Sequence, residues 1–147
     1  MGYVTNADIE ERLGTAAYVQ LTDDAGSGAA DTDKVDEARL GAEGELDSYL
    51  GRRVTVPVDT GRYPELAAVL KSFVLDLVAY RLHGRRPPVP ADVVRRRNEA
   101  IQWLERVSRG EVLLPTAKEA PPNATVGASG VVVGQARVLS RETLRDL

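Results

Sequence analysis

Cysteine is absent from the 147-residue chain, and histidine, tryptophan, phenylalanine and methionine each occur only once. The absence of cysteine excludes disulfide bonds, thiolate metal sites and cysteine nucleophiles. No apolar run approaches the roughly 18 residues that a membrane-spanning helix needs, so we expect no such helix. The first residues contain no basic region followed by an apolar stretch, and the sequence therefore predicts no signal peptide there.

Few combinations of residues in the chain suit catalysis or ligand binding. His83 is the only histidine. The sequence supplies no nucleophile or oriented partner beside it, so we expect no enzymatic activity and no cofactor. The acidic segment 23–33 lacks the ligand spacing and closing glutamate of a calcium-binding EF-hand loop. A solvated loop is therefore the preferred interpretation, and no metal site is expected.

Helical periodicity dominates residues 1–110, which we predict to form one body. A capping box at Thr5 and Asp8 predicts a short first helix that ends near Gly14. The apolar stretch 16–21 is brief and is not counted as a helix. Three long helices are predicted over 33–50, 64–83 and 91–109, the first capped by Thr32 or Asp33. The expected fold is mainly α, a small antiparallel bundle of three long helices and a short N-terminal one.

Glycine and proline mark the expected ends of these helices. Gly51 suits a left-handed cap after the first long helix, and Pro64 suits the first turn of the next. Pro57 favours an extended connector over a strand between them. The central helix presents a wide apolar face that includes Val69. The residues expected to face inward from the last helix are Val94, Ala100, Ile101, Leu104 and Val107.

The composition changes at Glu111. Residues 111–147 contain several prolines and glycines and no helical core pattern, so they predict an arm that is either disordered or folded onto a partner. The segment 131–133 could add as a strand to a partner's sheet, and Ser140 could cap a short terminal helix over 141–147. The apolar anchors for docking would be Val131, Val132, Val133, Val138, Leu139, Leu144 and Leu147.

Charge is distributed unevenly along the chain. The formal net charge is −3, but residues 1–50 carry −9, residues 51–110 carry +6 and residues 111–147 are neutral. These charges could neutralise each other within one copy. Alternatively, the acidic surface of one copy meets the basic surface of the next in a head-to-tail ring. The candidate inter-subunit residues are Arg95, Arg96, Arg97, Asp23, Asp24 and Asp31.

The three consecutive arginines of the last helix also suggest an alternative function. With Arg85 and Arg86 nearby, they could neutralise nucleic-acid phosphates, as a small DNA-binding module would. Trp103 and few other aromatic residues offer no stacking surface, and the net charge is negative. A charged face that pairs with acidic neighbours is the preferred interpretation, and Trp103 is expected to pack between helices or at the edge of an inter-subunit contact.

Short motifs recur in a characteristic order and spacing along residues 3–114. They are Tyr3-Val4-Thr5, Asp8-Ile9, Arg12-Leu13-Gly14, Gln20-Leu21-Thr22-Asp23, Leu46-Asp47-Ser48-Tyr49-Leu50, Arg52-Arg53, Val56-Pro57-Val58, Asp76-Leu77-Val78-Ala79-Tyr80, Ala100-Ile101-Gln102-Trp103-Leu104 and Arg109-Gly110. Together they resemble the family of the Mu-like prophage small head proteins, the head–tail adaptors of tailed phages. A weaker likeness follows at residues 137–147, where Ser140-Arg141-Glu142 precedes the predicted terminal helix.

The resemblance implies a structural protein of a phage or phage-like particle that is assembled in the bacterial cytoplasm. Adaptors of this kind form a ring beneath the portal, expected to be twelve-fold. They join the portal to the next head–tail joining or tail protein, with DNA passing through the channel. Related connectors dock on the portal through a C-terminal segment, which implies the same role for the arm 111–147.

Overall fold

Five α-helices form the part of the chain that the computed structural model describes, residues 2–115. The mainly helical bundle expected from the sequence is confirmed. The helices pack around a single apolar core. They are α1 (Asn6–Leu13), α2 (Thr15–Thr22), α3 (Thr32–Leu50), α4 (Pro64–Gly84) and α5 (Ala91–Ser108).

The first helix begins with the predicted capping box. The backbone N–H of Asp8 donates to Thr5 Oγ1 at 3.2 Å, and the N–H of Thr5 donates to Asp8 Oδ2 at 2.8 Å. Gly14 ends α1 with a φ of 82°, a value that a residue with a Cβ rarely adopts. The chain therefore turns sharply at this glycine and enters a second helix at once.

The helix α2 was not counted from the sequence, and that omission was wrong. Its apolar residues do not follow a clear helical stripe, but Tyr18 and Leu21 are buried in the core. Packing against the other helices stabilises a short helix that its own sequence pattern does not predict.

Both predicted ends of the long helix α3 need correction. Asp31, rather than Thr32 or Asp33, is the N-cap, because its Oδ1 accepts hydrogen bonds from the N–H groups of Asp33 and Lys34. Gly51 adopts right-handed angles, φ −58° and ψ −16°, so the left-handed cap was wrong. The chain continues in a tight turn instead, in which the N–H groups of Arg53 and Val54 donate to the carbonyl of Leu50.

The helix α4 is central, as its wide apolar face predicted, and it contacts all four other helices. Pro64 is its first residue. Val69 was expected to face inward but is 38% exposed. On α5, Val93 is buried in place of the predicted Val94, whereas the other four predicted positions are buried. Trp103 packs against Phe73 of α4, with ring centroids 5.0 Å apart.

The C-terminal ends of α3 and α5 lie at the same end of the bundle. Arg53, just after α3, donates from Nε to the carbonyl of Ser108 at 3.1 Å. From Gly110 the chain continues along residues 53–58, and Pro115 lines a groove together with Val58. Within this segment Leu114 is buried, so the packed core extends to residue 114.

Candidate functional site

The three consecutive arginines of α5 each have a partner within the same copy. Arg95 Nη1 lies 2.8 Å from Glu99 Oε1, one turn along the helix. Arg96 pairs with Asp92 in the other direction, and this bond lowers the pKa of Asp92. Two of the three arginines predicted to bind a neighbour are therefore already paired on their own helix.

The third arginine connects three helices of the bundle. Arg97 Nη2 approaches Glu45 Oε1 of α3 at 3.7 Å, and its guanidinium lies 5.2 Å from the ring centre of Tyr80 on α4. Glu45 also accepts from Arg81 at 2.8 Å. A cation over an aromatic face is favourable. This group holds the exposed edges of α3, α4 and α5 together.

The aspartates of the acidic loop between α2 and α3 also form hydrogen bonds and ion pairs within the chain. The carboxylate of Asp23 accepts from the N–H groups of Ser27 and Gly28 at 2.9 and 2.7 Å, and these bonds lower its pKa. Asp24 pairs with Arg85 and, at 3.4 Å, with Arg86 of the α4 end; the bond from Arg85 lowers the pKa of Asp24.

These contacts connect the acidic first part of the chain to its basic second part. Asp31 caps α3, so each of the six candidate inter-subunit residues has a role within one copy. The structure does not bring the six together into one surface. Their assignment to a contact between copies stays a prediction. The candidate docking residues of the arm, Val131, Val132, Val133, Val138, Leu139, Leu144 and Leu147, lie outside the described residues.

A charged cleft lies where α1, α4 and α5 meet. Asp76 of α4 is 8% exposed, and its Oδ1 accepts from Arg12 Nη2 of α1 at 2.5 Å. His83, Asp92 and Arg96 line the same cleft. Its carboxylates are held by arginines of the same copy, so the cleft joins the helices electrostatically.

A second polar cluster fixes the chain before α1. The hydroxyl of Tyr3 donates to Asp47 Oδ1 at 2.5 Å and accepts from the N–H of Val58 at 2.9 Å. Glu43, which is 9% exposed, accepts from the N–H groups of Tyr3 and Val4. Burial raises the pKa of Asp47 and, more strongly, that of the Tyr3 hydroxyl. The cluster joins the N-terminal segment, α3 and the connector 51–63.

Sequence reasoning missed the surface at the end of the bundle where α3 and α5 end. Most cationic side chains of residues 2–115 pair with a carboxylate, but Lys34 on α3 and, at this end of the bundle, Arg52, Arg53 and Arg62 do not. Leu113 on the same end is 89% exposed. The signal was present in the sequence, since two arginines directly follow Gly51 in a turn and so have no helical neighbour one turn away.

No group of three or more histidine, aspartate or glutamate side chains that could hold a metal ion occurs in residues 2–115. In the same part of the chain, no helix is long and apolar enough to cross a membrane.

Comparison with protein families shows which family this chain belongs to. The family model described as bacteriophage Mu, Gp36 matches residues 3–133. The chain belongs to this family. No curated protein matches the chain significantly. Membership of the Gp36 family confirms a Mu-like phage protein and indicates a structural or morphogenetic, virion-associated role.

The match with the Gp36 family extends well beyond α5. It includes Val131, Val132 and Val133 but ends before Val138 and the other predicted anchors of the arm. Much of the segment after Pro115 is therefore part of what defines the family, together with the helical body.

Proposed function

We propose that the protein is a structural head–tail adaptor of a tailed phage or phage-like particle. The observation that carries this proposal is membership of the bacteriophage Mu Gp36 family over residues 3–133. The role is architectural and not enzymatic. A rigid body of five helices with one continuous core is suited to hold a fixed shape between larger assemblies.

In this proposal the adaptor forms a ring of identical copies, expected to be twelve-fold. One side of the ring binds the portal, the other binds the next head–tail joining or tail protein, and DNA passes through the channel. A ring requires two different surfaces on each copy that fit each other. Charged side chains of either sign that stay unpaired within one copy would be available to such a contact.

The segment 111–147 docks on the portal. Its apolar residues beyond Pro115 are too few to form a core of their own, so a partner surface would bury them. The match with the Gp36 family runs through residues 131–133. This continuity supports a role for the segment that family members share, and it makes these three valines the first anchors to test.

The alternative of a DNA-binding module is less well supported. Phosphate binding needs arginines that are free to neutralise phosphates. Arg95 and Arg96 instead pair with carboxylates on their own helix, and Arg97 lies between Glu45 and Tyr80. Nucleic acid would have to displace these pairs before it could use the arginines.

Binding to the portal protein of the same phage tests the proposal. The full chain should bind immobilised portal, and a chain that ends at Pro115 should not, because it keeps the folded body but loses the docking segment. A chain that ends at Gly134 keeps residues 131–133 and should retain measurable binding. Circular dichroism should show similar helical content in both truncated proteins and in the full chain.

A second measurement addresses the role in the particle. Deletion of the gene should yield DNA-filled heads without tails in electron micrographs, and a plasmid copy should restore tailed particles. Tailed particles in the absence of the protein would overturn the adaptor proposal. Full portal binding by the chain that ends at Pro115 would overturn only the role of the docking segment.

A further inference from the structure

Two leucines on the described surface are strongly exposed. Leu113 is 89% exposed between Val112 and Leu114, which both pack on the core. Leu40 on α3 is 61% exposed, although Ala38 and Ala42, two positions away on either side, are buried. An isolated exposed leucine needs no explanation. Each of these two, however, lies near charged side chains that form no ion pair within residues 2–115.

Leu113 belongs to a surface that we call the basic patch, formed by Arg52, Arg53, Arg62 and Leu113. Arg53 lies next to Gly110 and Arg62 lines the groove that includes Pro115, so these two arginines lie near the two ends of the segment that contains Leu113. None of the three has a carboxylate partner within residues 2–115. Of the carboxylates near this end, Glu111 pairs with Arg106 and Arg109, and Asp59 accepts from its own loop.

Leu40 belongs to a surface that we call the acidic stripe, formed by Asp33, Glu37, Leu40 and Gly44. Their spacing of four, three and four places them on one exposed side of α3. The carboxylates of Asp33 and Glu37 form no hydrogen bond or ion pair within the described chain. Gly44 has open space above its Cα, so a partner can approach the helix backbone closely there. Lys34 and Arg81 lie beside Glu37, beyond ion-pair distance.

The two surfaces cannot meet within one copy. Asp33 is near the start of α3 and Arg52 directly follows its end. At 1.5 Å per residue, the 19 positions between them correspond to about 28 Å along a rigid helix. Arg52 and Arg53 also leave the helix in a fixed turn, because Arg53 donates to the carbonyl of Ser108. Within one copy these charges are therefore left to solvent, and they are available to pair with a second copy.

We propose that the basic patch of one copy binds the acidic stripe of a second copy, with Leu113 and Leu40 buried between them. The contact joins two different surfaces and is therefore heterologous, as a ring requires. It rests on the proposed adaptor function and replaces Arg95–Arg97 as the basic side of the contact. Exposed ion pairs are individually weak, so the two leucines supply attraction while the charges select orientation and partner.

Engineered disulfides test the contact directly, because the chain contains no native cysteine. The full-length variant Leu40→Cys/Leu113→Cys should form a ladder of covalent oligomers under mild oxidation. Each single variant should stop at dimers. The matched control is Val69→Cys/Leu113→Cys, since Val69 is also exposed but lies outside the acidic stripe. A ladder no stronger than that of the control would overturn the proposal.

A charge exchange provides an independent test. Arg52→Glu/Arg53→Glu should weaken self-association of the full chain about tenfold, and Asp33→Arg/Glu37→Arg should do the same, because like charges then face each other. An equimolar mixture of the two variants should recover association through the restored pairs. Arg95→Glu/Arg96→Glu is the control and should leave the contact unchanged.

The two variants and the control separate this proposal from the adaptor function. Loss of association in the control alone would overturn the basic patch and restore the α5 arginines as the contact. Equal association in all variants would also overturn it. Portal binding and tail attachment are measured separately, so the adaptor function can stand while this contact fails.

Discussion

Asp76 shows how a single carboxylate is accommodated in the core of the bundle. It lies on the buried face of α4, where water cannot solvate its charge, and Arg12 of α1 supplies the compensating bond at 2.5 Å. Arg12 itself keeps a third of its side chain exposed, so its own desolvation is limited. Removal of Arg12 should therefore cost more stability than removal of Asp76, because it leaves a buried carboxylate without its partner.

Arg12→Met should destabilise the protein by about 1–3 kcal/mol, because the buried carboxylate of Asp76 loses its main partner. The double variant Arg12→Met/Asp76→Leu should recover most of that loss, since apolar replacement of a buried pair is often neutral or stabilising. Urea denaturation of the three proteins measures both effects. A double variant less stable than Arg12→Met would contradict this account.

Asp8 connects the capping box of α1 to α4. Its carboxylate accepts from Lys71 Nζ at 2.6 Å and from the N–H of Thr5 at 2.8 Å. The bond from Lys71, followed by that from Thr5, lowers the pKa of Asp8 from 3.8 to about 2. Because the folded-state pKa lies below the unfolded one, the ionised carboxylate stabilises the fold above about pH 4. That contribution is lost as the pH falls towards 2.

The free energy of unfolding should therefore fall by about 1 kcal/mol less in Asp8→Asn than in the unchanged protein between pH 5 and pH 2. The expected difference is small because Lys71 is partly exposed and solvent screens its pair with Asp8. Asparagine retains an oxygen for the N–H of Thr5, so the change tests charge and not the cap as a whole. Thermal unfolding as a function of pH measures it. Glu11→Gln is the control, because the Glu11 carboxylate has no partner in residues 2–115. An equal difference in that control would refute the assignment.

At the scale of elements, two consecutive leucines in the segment after α5 differ sharply in burial. Leu114 is 8% exposed and belongs to the core, whereas Leu113 is 89% exposed. The difference arises because successive side chains of an extended segment point to opposite sides. Residues 110–115 thus attach to the body through alternate positions.

Leu114→Ala should cost about 2–5 kcal/mol, because it removes buried methyl groups and leaves a cavity. Leu113→Ala should change stability by less than about 0.5 kcal/mol, as exposed substitutions usually do. Chemical denaturation measures the free energy of unfolding of both variants, which carry the same leucine-to-alanine change at a buried and an exposed position. A similar loss in both would mean that Leu113 also packs against the body.

Helix α2 marks the limit of prediction from sequence at this scale. The helices α1, α3, α4 and α5 were predicted because a cap, a first-turn proline or a repeating apolar side identifies each of them. Helix α2 has none of these signals. The end of α3 was misjudged for a related reason: a glycine after a helix favours a left-handed cap, but the hydrogen bonds of the following turn decided otherwise.

At the scale of the whole molecule, the opposite charges along the chain largely neutralise each other. The sequence correctly indicated complementary charge, but charge order along a chain does not distinguish pairing within a copy from pairing between copies. Folding pairs Asp24 with Arg85 and Glu45 with Arg97. The basic patch is visible only in the folded chain, because Arg52, Arg53 and Arg62 are the arginines of residues 2–115 that folding leaves without a carboxylate partner.

In the proposed adaptor role, the burial of Leu114 has a mechanical consequence. Tension applied to the chain beyond Pro115 acts first on the contacts of Leu114 and Val112 with the core. The hydrogen bonds of α5 bear load only after those contacts have separated. A short apolar segment thereby shields the helical body from forces applied to the chain at Pro115.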